Sequence, residues 1–326
     1  MAPIPRLPAA AVPRLPLVPD PLHRIRVPKD LDAVTTIDPG EEPLAGGLDR
    51  RAVDHIWSAV VDLYRSGVHP AIQLCLRRHG KIVINRSIGH ARGNGPDDAP
   101  DAEKVLVTPR TPYCVYSTSK GVTAMVVHLL QDRGLLDIQD RVTKYLPDYG
   151  RHGKEKTTIA HVLAHRAGVP TLPREVLDID RVADTDFVIE AISNSKPFVK
   201  PGTLLAYHAI SGGFILGEIV RRVTGKTIRE VLAESILDPL GFRWGNYGVA
   251  PEDVDQVGVD YLTGPRLLPP FSNLAARVLG QPVELVVETA NDPRFQTALI
   301  PAGNVITTGD ELSRFFEIFR AGGILD

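Results

Sequence analysis

Ser117-Thr118-Ser119-Lys120 sets a hydroxyl and an amine three residues apart. On an α-helix that spacing is about 300° of rotation and roughly 4.5 Å of rise, so both side chains share a face. A serine hydroxyl alone is a poor nucleophile near neutral pH. An adjacent amine whose pKa is lowered can take its proton. The residues that follow, Val122, Met125, Val126, Leu129 and Leu130, recur at helical spacing, and Gly134 closes the run. Ser117 therefore falls at a helix N-terminus, where unpaired N–H groups can hold an oxyanion. The pattern fits an ordinary capping serine equally well.

The same four-residue pattern recurs at Ser193-Asn194-Ser195-Lys196. It follows the apolar run Phe187, Val188, Ile189, Ala191 and Ile192, and Pro197 comes directly after the lysine. A residue before proline is pushed out of the α region, so Lys196 is not expected to be helical. Ser193 then sits at a helix end and Ser117 at a helix start. Only Ser117 has the required geometry. His161 and His165, four apart on a predicted helix, lack an H-E-x-x-H pattern or a third acidic ligand and read as structural. No metal and no organic cofactor is expected.

Composition narrows the function classes. The chain has 326 residues, 43% hydrophobic content and a formal net charge of −2. It can bury one large core or two modest ones, and its charge points to neither nucleic acid nor an anionic membrane as partner. A small molecule is the expected partner, and the sequence leaves the oligomeric state open. No apolar run approaches the roughly 20 residues that span a bilayer. Cys75 and Cys114 show no metal-ligand spacing and fit a reducing compartment, with a single disulfide left open. With no signal peptide or transmembrane segment read, a cytoplasmic location is expected.

The elements that must position Ser117 begin after residues 1–45, a proline-rich arm holding ten of the 28 prolines. Residues 49–66 predict a helix with Val53, Ile56, Val60 and Leu63 on one side. Runs 71–77 and 82–88 predict two strands joined by a short hairpin connection, Arg78-His79-Gly80-Lys81. Asn85-Arg86-Ser87 matches a glycosylation sequon but lies in that second strand. The helix 118–133 follows, then one capped by Thr158 and closed by Gly168, another over 185–193, and an amphipathic helix with Phe214, Ile215, Ile219, Val220 and Val223. A helix over 228–236 is expected to be stopped by Pro239-Leu240-Gly241. Residues 275–279, 283–288 and 310–319 also predict helices. Strands first and helices afterwards argue an α+β fold.

Five stretches together resemble the serine β-lactamase-like hydrolases, which share a fold with penicillin-binding proteins and include many esterases and transesterases. They are the Ser117–Lys120 motif, residues 161–168, Lys200-Pro201-Gly202 with Tyr207-His208-Ala209, residues 236–241, and residues 300–304. The resemblance spans about 110 to 320. It implies an α/β sheet domain plus an all-helical domain, with the serine at the cleft between them. On that basis residues 46–120 form the first part of the sheet domain, 121–295 the mainly helical domain, and 296–326 a return to the sheet.

The resemblance also implies that Tyr207 faces the nucleophile as a proton-transfer partner, and it makes His208 and Tyr116 candidates for substrate contact. Where β-lactamases of the family carry a Y-x-N pattern, the third position is Ala209, which points to the esterase branch. The G-x-S-x-G elbow of the α/β-hydrolases does not occur. The expected function is a serine carboxylesterase or acyl-transferring hydrolase. The alternatives are a β-lactamase or D-alanyl-D-alanine carboxypeptidase, and a non-catalytic scaffold that keeps the fold. The resemblance further implies strands and a closing helix beyond Asp326. With only two strands read, the sheet is expected to be incomplete, the apolar face of helix 118–133 uncovered, and the chain poorly soluble and at most weakly active.

Overall fold

The computed structural model describes residues 20–321. The chain gathers into two compact units. The first comprises the described part of Met1–Thr111 with Tyr261–Leu267 and Thr308–Glu317. Its elements begin with β1 (Thr35–Ile37), α1 (Arg50–Arg65), β2 (Ala71–Arg78), β3 (Lys81–Arg92) and β4 (Val105–Leu106). The sheet order is β1-β3-β2, with β4 also paired to β3, and every pairing is antiparallel.

His79 and Gly80 join β2 to β3, both in the left-handed region with φ of 52° and 78°. Two such residues make the tight turn whose twist matches a hairpin. β3 runs past the expected 88 to Arg92, because β4 offers a second partner there. Asn85 is buried within β3, so the sequon lies inside the sheet. Among the described residues, β2 takes no further strand on its outer edge.

Asp49 caps α1 by accepting from the Ala52 N–H. The face that α1 buries runs through Val53, Trp57, Val60 and Tyr64, while Leu63, expected inside, is exposed. Tyr64 joins Ile25, Val34 and Ile88 in one apolar cluster. From Asp20 onward the proline-rich arm therefore contributes a strand and two core residues. Residues 1–19 lie outside the described residues, as do Gly322–Asp326.

The second unit comprises Pro112–Asp260, Leu268–Thr307 and the described part of Ile318–Asp326. It opens with β5 (Tyr113–Cys114) and α2 (Ser119–Asp132), then α3 (Ile159–Leu163), α4 (Ile179–Val182), α5 (Thr185–Asn194) and α6 (Ser211–Thr224). Next come α7 (Ile228–Leu232), α8 (Asp238–Leu240), β6 (Asn246–Tyr247), α9 (Phe271–Leu279), α10 (Val283–Ala290), α11 (Pro293–Thr297) and β7 (Val305–Thr307). The last element, α12 (Gly309–Ala321), follows β7, and its residues up to Glu317 belong to the first unit.

Three expectations need correction in this unit. The apolar face of α2 does not lack its cover: Val122, Met125, Val126, Leu129 and Leu130 are all buried, and α6 and α7 pack on the helix. The strand count was also too low, since β5, β7 and β6 form a second sheet in that order. Finally, the helix that starts at Ile228 does not end at 236: the turn widens to a π-turn over Ala233–Leu237 and continues to Leu240, where Gly241 (φ 66°), the last residue of the expected stop, caps it. A widened turn relieves the clash of a proline ring with the preceding turn, so the chain stays helical.

Candidate active site

Ser117 lies in a 3₁₀ turn, Tyr116–Thr118, immediately ahead of α2 rather than inside it. Two features hold that turn. Cys114 pairs with Ile306 across the β5–β7 ladder, and the Val115 N–H donates to the Val305 carbonyl at 2.9 Å. Ser119, fully buried, donates its hydroxyl to the Tyr116 carbonyl and accepts from the Val305 N–H at 2.9 Å. The third residue of the motif is thus the bolt between turn and sheet. Tyr116 takes a left-handed conformation, φ 43°, which costs a non-glycine residue about 1–3 kcal/mol. It leaves the Ser117 side chain exposed.

Lys120 Nζ is 3.0 Å from Ser117 Oγ and donates to the Ala302 carbonyl at 2.8 Å. The carbonyl takes one N–H, and a neutral amine at this distance can turn its lone pair toward the serine. Burial lowers the Lys120 pKa, with the Tyr207 hydroxyl pulling the other way. The Ala302 carbonyl is itself set by packing. At Gly213 of α6, a Cβ would lie 2.6 Å from Ala302 N, so only glycine admits the 301–303 turn this close. Asn304, wholly buried, pins the turn by donating to the Phe295 and Ala298 carbonyls and accepting from the Ile300 N–H.

Tyr207 brings its hydroxyl 2.7 Å from Ser117 Oγ, on the same oxygen that Lys120 approaches. Lys120 Nζ also stands 5.1 Å from the Tyr207 ring centre. The 161–168 stretch builds the cradle for this tyrosine. His165, at φ 56°, packs its ring 4.8 Å from that of Tyr207 and accepts from the His208 N–H at 3.1 Å. The His165 carbonyl takes the Ala206 N–H at 2.9 Å. His165 rather than Gly168 is thus the first left-handed residue after α3.

His208 does not reach a substrate. It is completely buried, its Nε2 accepts from the Val169 N–H at 3.2 Å, and its Nδ1 lies 2.6 Å from the Ala206 carbonyl. These partners require the Nδ1–H tautomer, and burial lowers its pKa to about 4. It is a buried clamp on the Tyr207 loop. His161 is likewise structural, its Nδ1 accepting from the Thr158 N–H in a capping box. Among the described residues no group of three His, Cys, Asp or Glu side chains could hold a metal ion.

Tyr116 does line the pocket at Ser117, a small cavity of about 100 Å³. Its wall is largely apolar, with Leu177, Val182, Leu279, Phe295 and Ile300, and it also includes Ala209, Gln281 and Thr289. No Asp, Glu, Lys or Arg of the described residues lines it. A larger hollow of about 630 Å³, between Pro170–Leu172 and the end of α9, holds no such serine–amine pair. Ser193 is buried at the end of α5 and its carbonyl accepts from Lys154, while Lys196 is exposed outside the helix. The second S-x-x-K pattern therefore makes no site. Both cysteines are free thiols.

A hydroxyl flanked by an amine and a phenol, at the head of a helix packed on a short antiparallel sheet, defines a β-lactamase-like site. The Beta-lactamase family model matches residues 51–326, and the chain belongs to that family. It is 30% identical over 230 residues to the esterase/beta-lactamase LipL of Mycobacterium tuberculosis, covering 65% of this chain and 51% of that protein. Among solved structures, a family VIII carboxylesterase matches with a TM-score of 0.66 and 28% identity, over 83% of this chain and 70% of that one. A penicillin-binding protein homologue from Caulobacter crescentus shares the fold, with a TM-score of 0.67 and 24% identity over 83% and 71%. The chain spans about half the length of LipL.

The motifs S-x-x-K and Y-H-A were legible, but two other contributors were not. Ala302 acts through its carbonyl, and Ser119 looks like any polar residue of a helix start. Gly213 and Asn304, flanking the Ala302 turn from two directions, are the only sequence signals that it is tightly built.

Proposed function

We propose that this chain is a serine hydrolase that cleaves small neutral carboxylic esters, or transfers their acyl group, through an acyl-enzyme on Ser117. The observation that carries the reading is the convergence of Lys120 Nζ and Tyr207 Oη on one exposed Ser117 Oγ, at 3.0 and 2.7 Å. Burial lowers the Lys120 pKa, and in its neutral form the amine takes the Ser117 proton as Oγ bonds to the carbonyl carbon. The Ser117 N–H faces the developing oxyanion. As the carbon–alkoxy bond breaks, Tyr207 gives its proton to the leaving alkoxide and recovers one from Lys120. Water or an acceptor alcohol then repeats the attack in reverse order of proton transfers.

The likeness to LipL and to a family VIII carboxylesterase supports an ester substrate. The name of LipL also supplies the rival reading, a β-lactam. Against it stands Ala209 at the pocket wall, which offers no side-chain hydrogen bond to an amide, and among the described residues no cation lines the pocket to meet a carboxylate. Comparing Ser117→Ala with Ser193→Ala on short-chain aryl esters tests the proposal. The first change should abolish hydrolysis and the second leave it nearly unchanged. Equal losses, or a loss only in the second, would refute the assignment.

A further inference from the structure

Three spaces in the second unit adjoin one another. The pocket at Ser117 measures about 100 Å³, and beside it lies a slot of about 10 Å³. Leu177, Ala209, Ile210 and Leu279 line both the slot and the Ser117 pocket. The slot's remaining lining residues, Pro170, Thr171, Leu172 and Gly280, also line the hollow of about 630 Å³ beside α9. The slot is therefore a passage from the nucleophile to the hollow. Gly280, at φ 86°, keeps it open, since a Cβ there would lie 2.6 Å from Leu177 Cδ1. All of these residues belong to the second unit.

Size and lining say what could use the passage. A pocket that encloses a small-molecule ligand usually measures about 300–1,000 Å³. The pocket at Ser117 falls below that range, and the hollow lies within it. The apolar lining of the slot continues in the hollow as Leu172, Phe198 and Ala276. Phe198 is 76% exposed, an aromatic surface that a bound chain would cover. Arg277 is exposed, so its stem can lie along the hollow while its head stays in water. No Asp or Glu of the described residues lines the slot or the hollow.

Resting on the reading of Ser117 as the nucleophile of an esterase, we propose that this hollow is a distal subsite for an apolar chain of the ester. The carbonyl sits at Ser117 and the chain threads the slot between Leu177 and Leu279. A butyryl chain ends in the first pocket, whereas an octanoyl or octyl chain reaches the hollow. The preferred substrates are then medium-chain esters. Contacts this far from the scissile bond are the same in the ground and transition states, so they lower KM and leave kcat unchanged. Each methylene taken fully from water is worth about fourfold in kcat/KM. The hollow covers the chain only in part, so octanoate should exceed butyrate by about tenfold rather than by the full product.

The test compares p-nitrophenyl butyrate with p-nitrophenyl octanoate, and butyl acetate with octyl acetate, all below the concentrations at which they aggregate. The first pair reports an acyl chain in the hollow and the second an alcohol chain. The wild-type protein should favour the longer member of at least one pair by about tenfold, through KM. Ala276→Trp fills the hollow and Leu177→Trp blocks the slot, and each should bring that ratio close to one. A ratio taken within one variant cancels any loss of folded enzyme. Should Leu177→Trp fail to fold, Ala276→Trp decides the matter. No preference for the longer chain in either pair, or a preference that survives in the folded variants, would overturn the proposal. Ser117→Ala on the butyrate ester keeps the two readings apart. If that change abolishes turnover while the ratio is flat, only the subsite is lost. If Ser117→Ala still cleaves the ester, or the wild type cleaves none, the esterase reading fails and the subsite with it.

Discussion

Lys120 must shed its charge to act as a base, and its surroundings favour that. Burial lowers its pKa, and the contacts to Ser117 Oγ and the Ala302 carbonyl supply no carboxylate to restore it. Positioned acid–base groups contribute about 10²–10⁴ in rate. Lys120→Ala and Tyr207→Phe should each lose at least the lower figure, as read from steady-state ester hydrolysis. Since both act on one oxygen, the double change should lose far less than the product of the two. Full multiplicativity would mean independent roles. Linkage gives a second reading of Lys120. Its folded pKa is depressed, so the unfolded chain binds more protons between that value and about 10.5, and stability falls as pH drops through this window. Lys120→Met should therefore raise the melting temperature at pH 7, with the gain shrinking toward pH 10.5, while activity is lost. A gain independent of pH would contradict a depressed lysine.

At the scale of elements, the long periodic pieces were legible and the short ones were not. The face of α2 and that of α6 announce themselves through apolar residues at helical spacing, and α9 and α10 fall where 275–279 and 283–288 predict. By contrast β5, β6 and β7 are two or three residues long. No alternation can be read over so few positions, and their pairing joins residues 113–114 to 305–307. The site depends on this hidden sheet, because Val305 fixes both Val115 and Ser119. The turn-over of α3 into His165 was missed for a related reason, since a histidine in the left-handed region gives no glycine signal. Two changes test the elements. Ser119→Ala leaves a buried N–H and a carbonyl short of a partner, which costs about 1–3 kcal/mol of stability in a denaturant titration. Gly213→Ala drives a Cβ into the Ala302 backbone and moves the carbonyl off Lys120. Its kcat should fall by more than its loss of folded protein explains. Normal turnover in folded Gly213→Ala would show that the Ala302 contact is incidental.

For the whole molecule, the family model spans residues 51–326, while the choice between ester and β-lactam rests on one small pocket. No helix of the described residues is long and apolar enough to cross a membrane. The pocket's neutral lining and Ala209 predict that turnover of a short aryl ester exceeds that of a penicillin or cephalosporin, compared at equal enzyme concentration. Efficient β-lactam hydrolysis would reverse that ranking and favour the rival reading. What the sequence could not disclose at this scale is pocket shape. The wall draws on Leu177, Leu279 and Phe295, more than a hundred residues apart at the extremes and with no shared motif. The central claim is the identity of the nucleophile, and one measurement reaches it directly. The wild-type chain is treated with a fluorophosphonate, digested and mapped by mass spectrometry. A single adduct on Ser117, absent from Ser117→Ala and slowed in Lys120→Ala, is the predicted result; an adduct on Ser193 or any other residue, or none at all, would contradict the account.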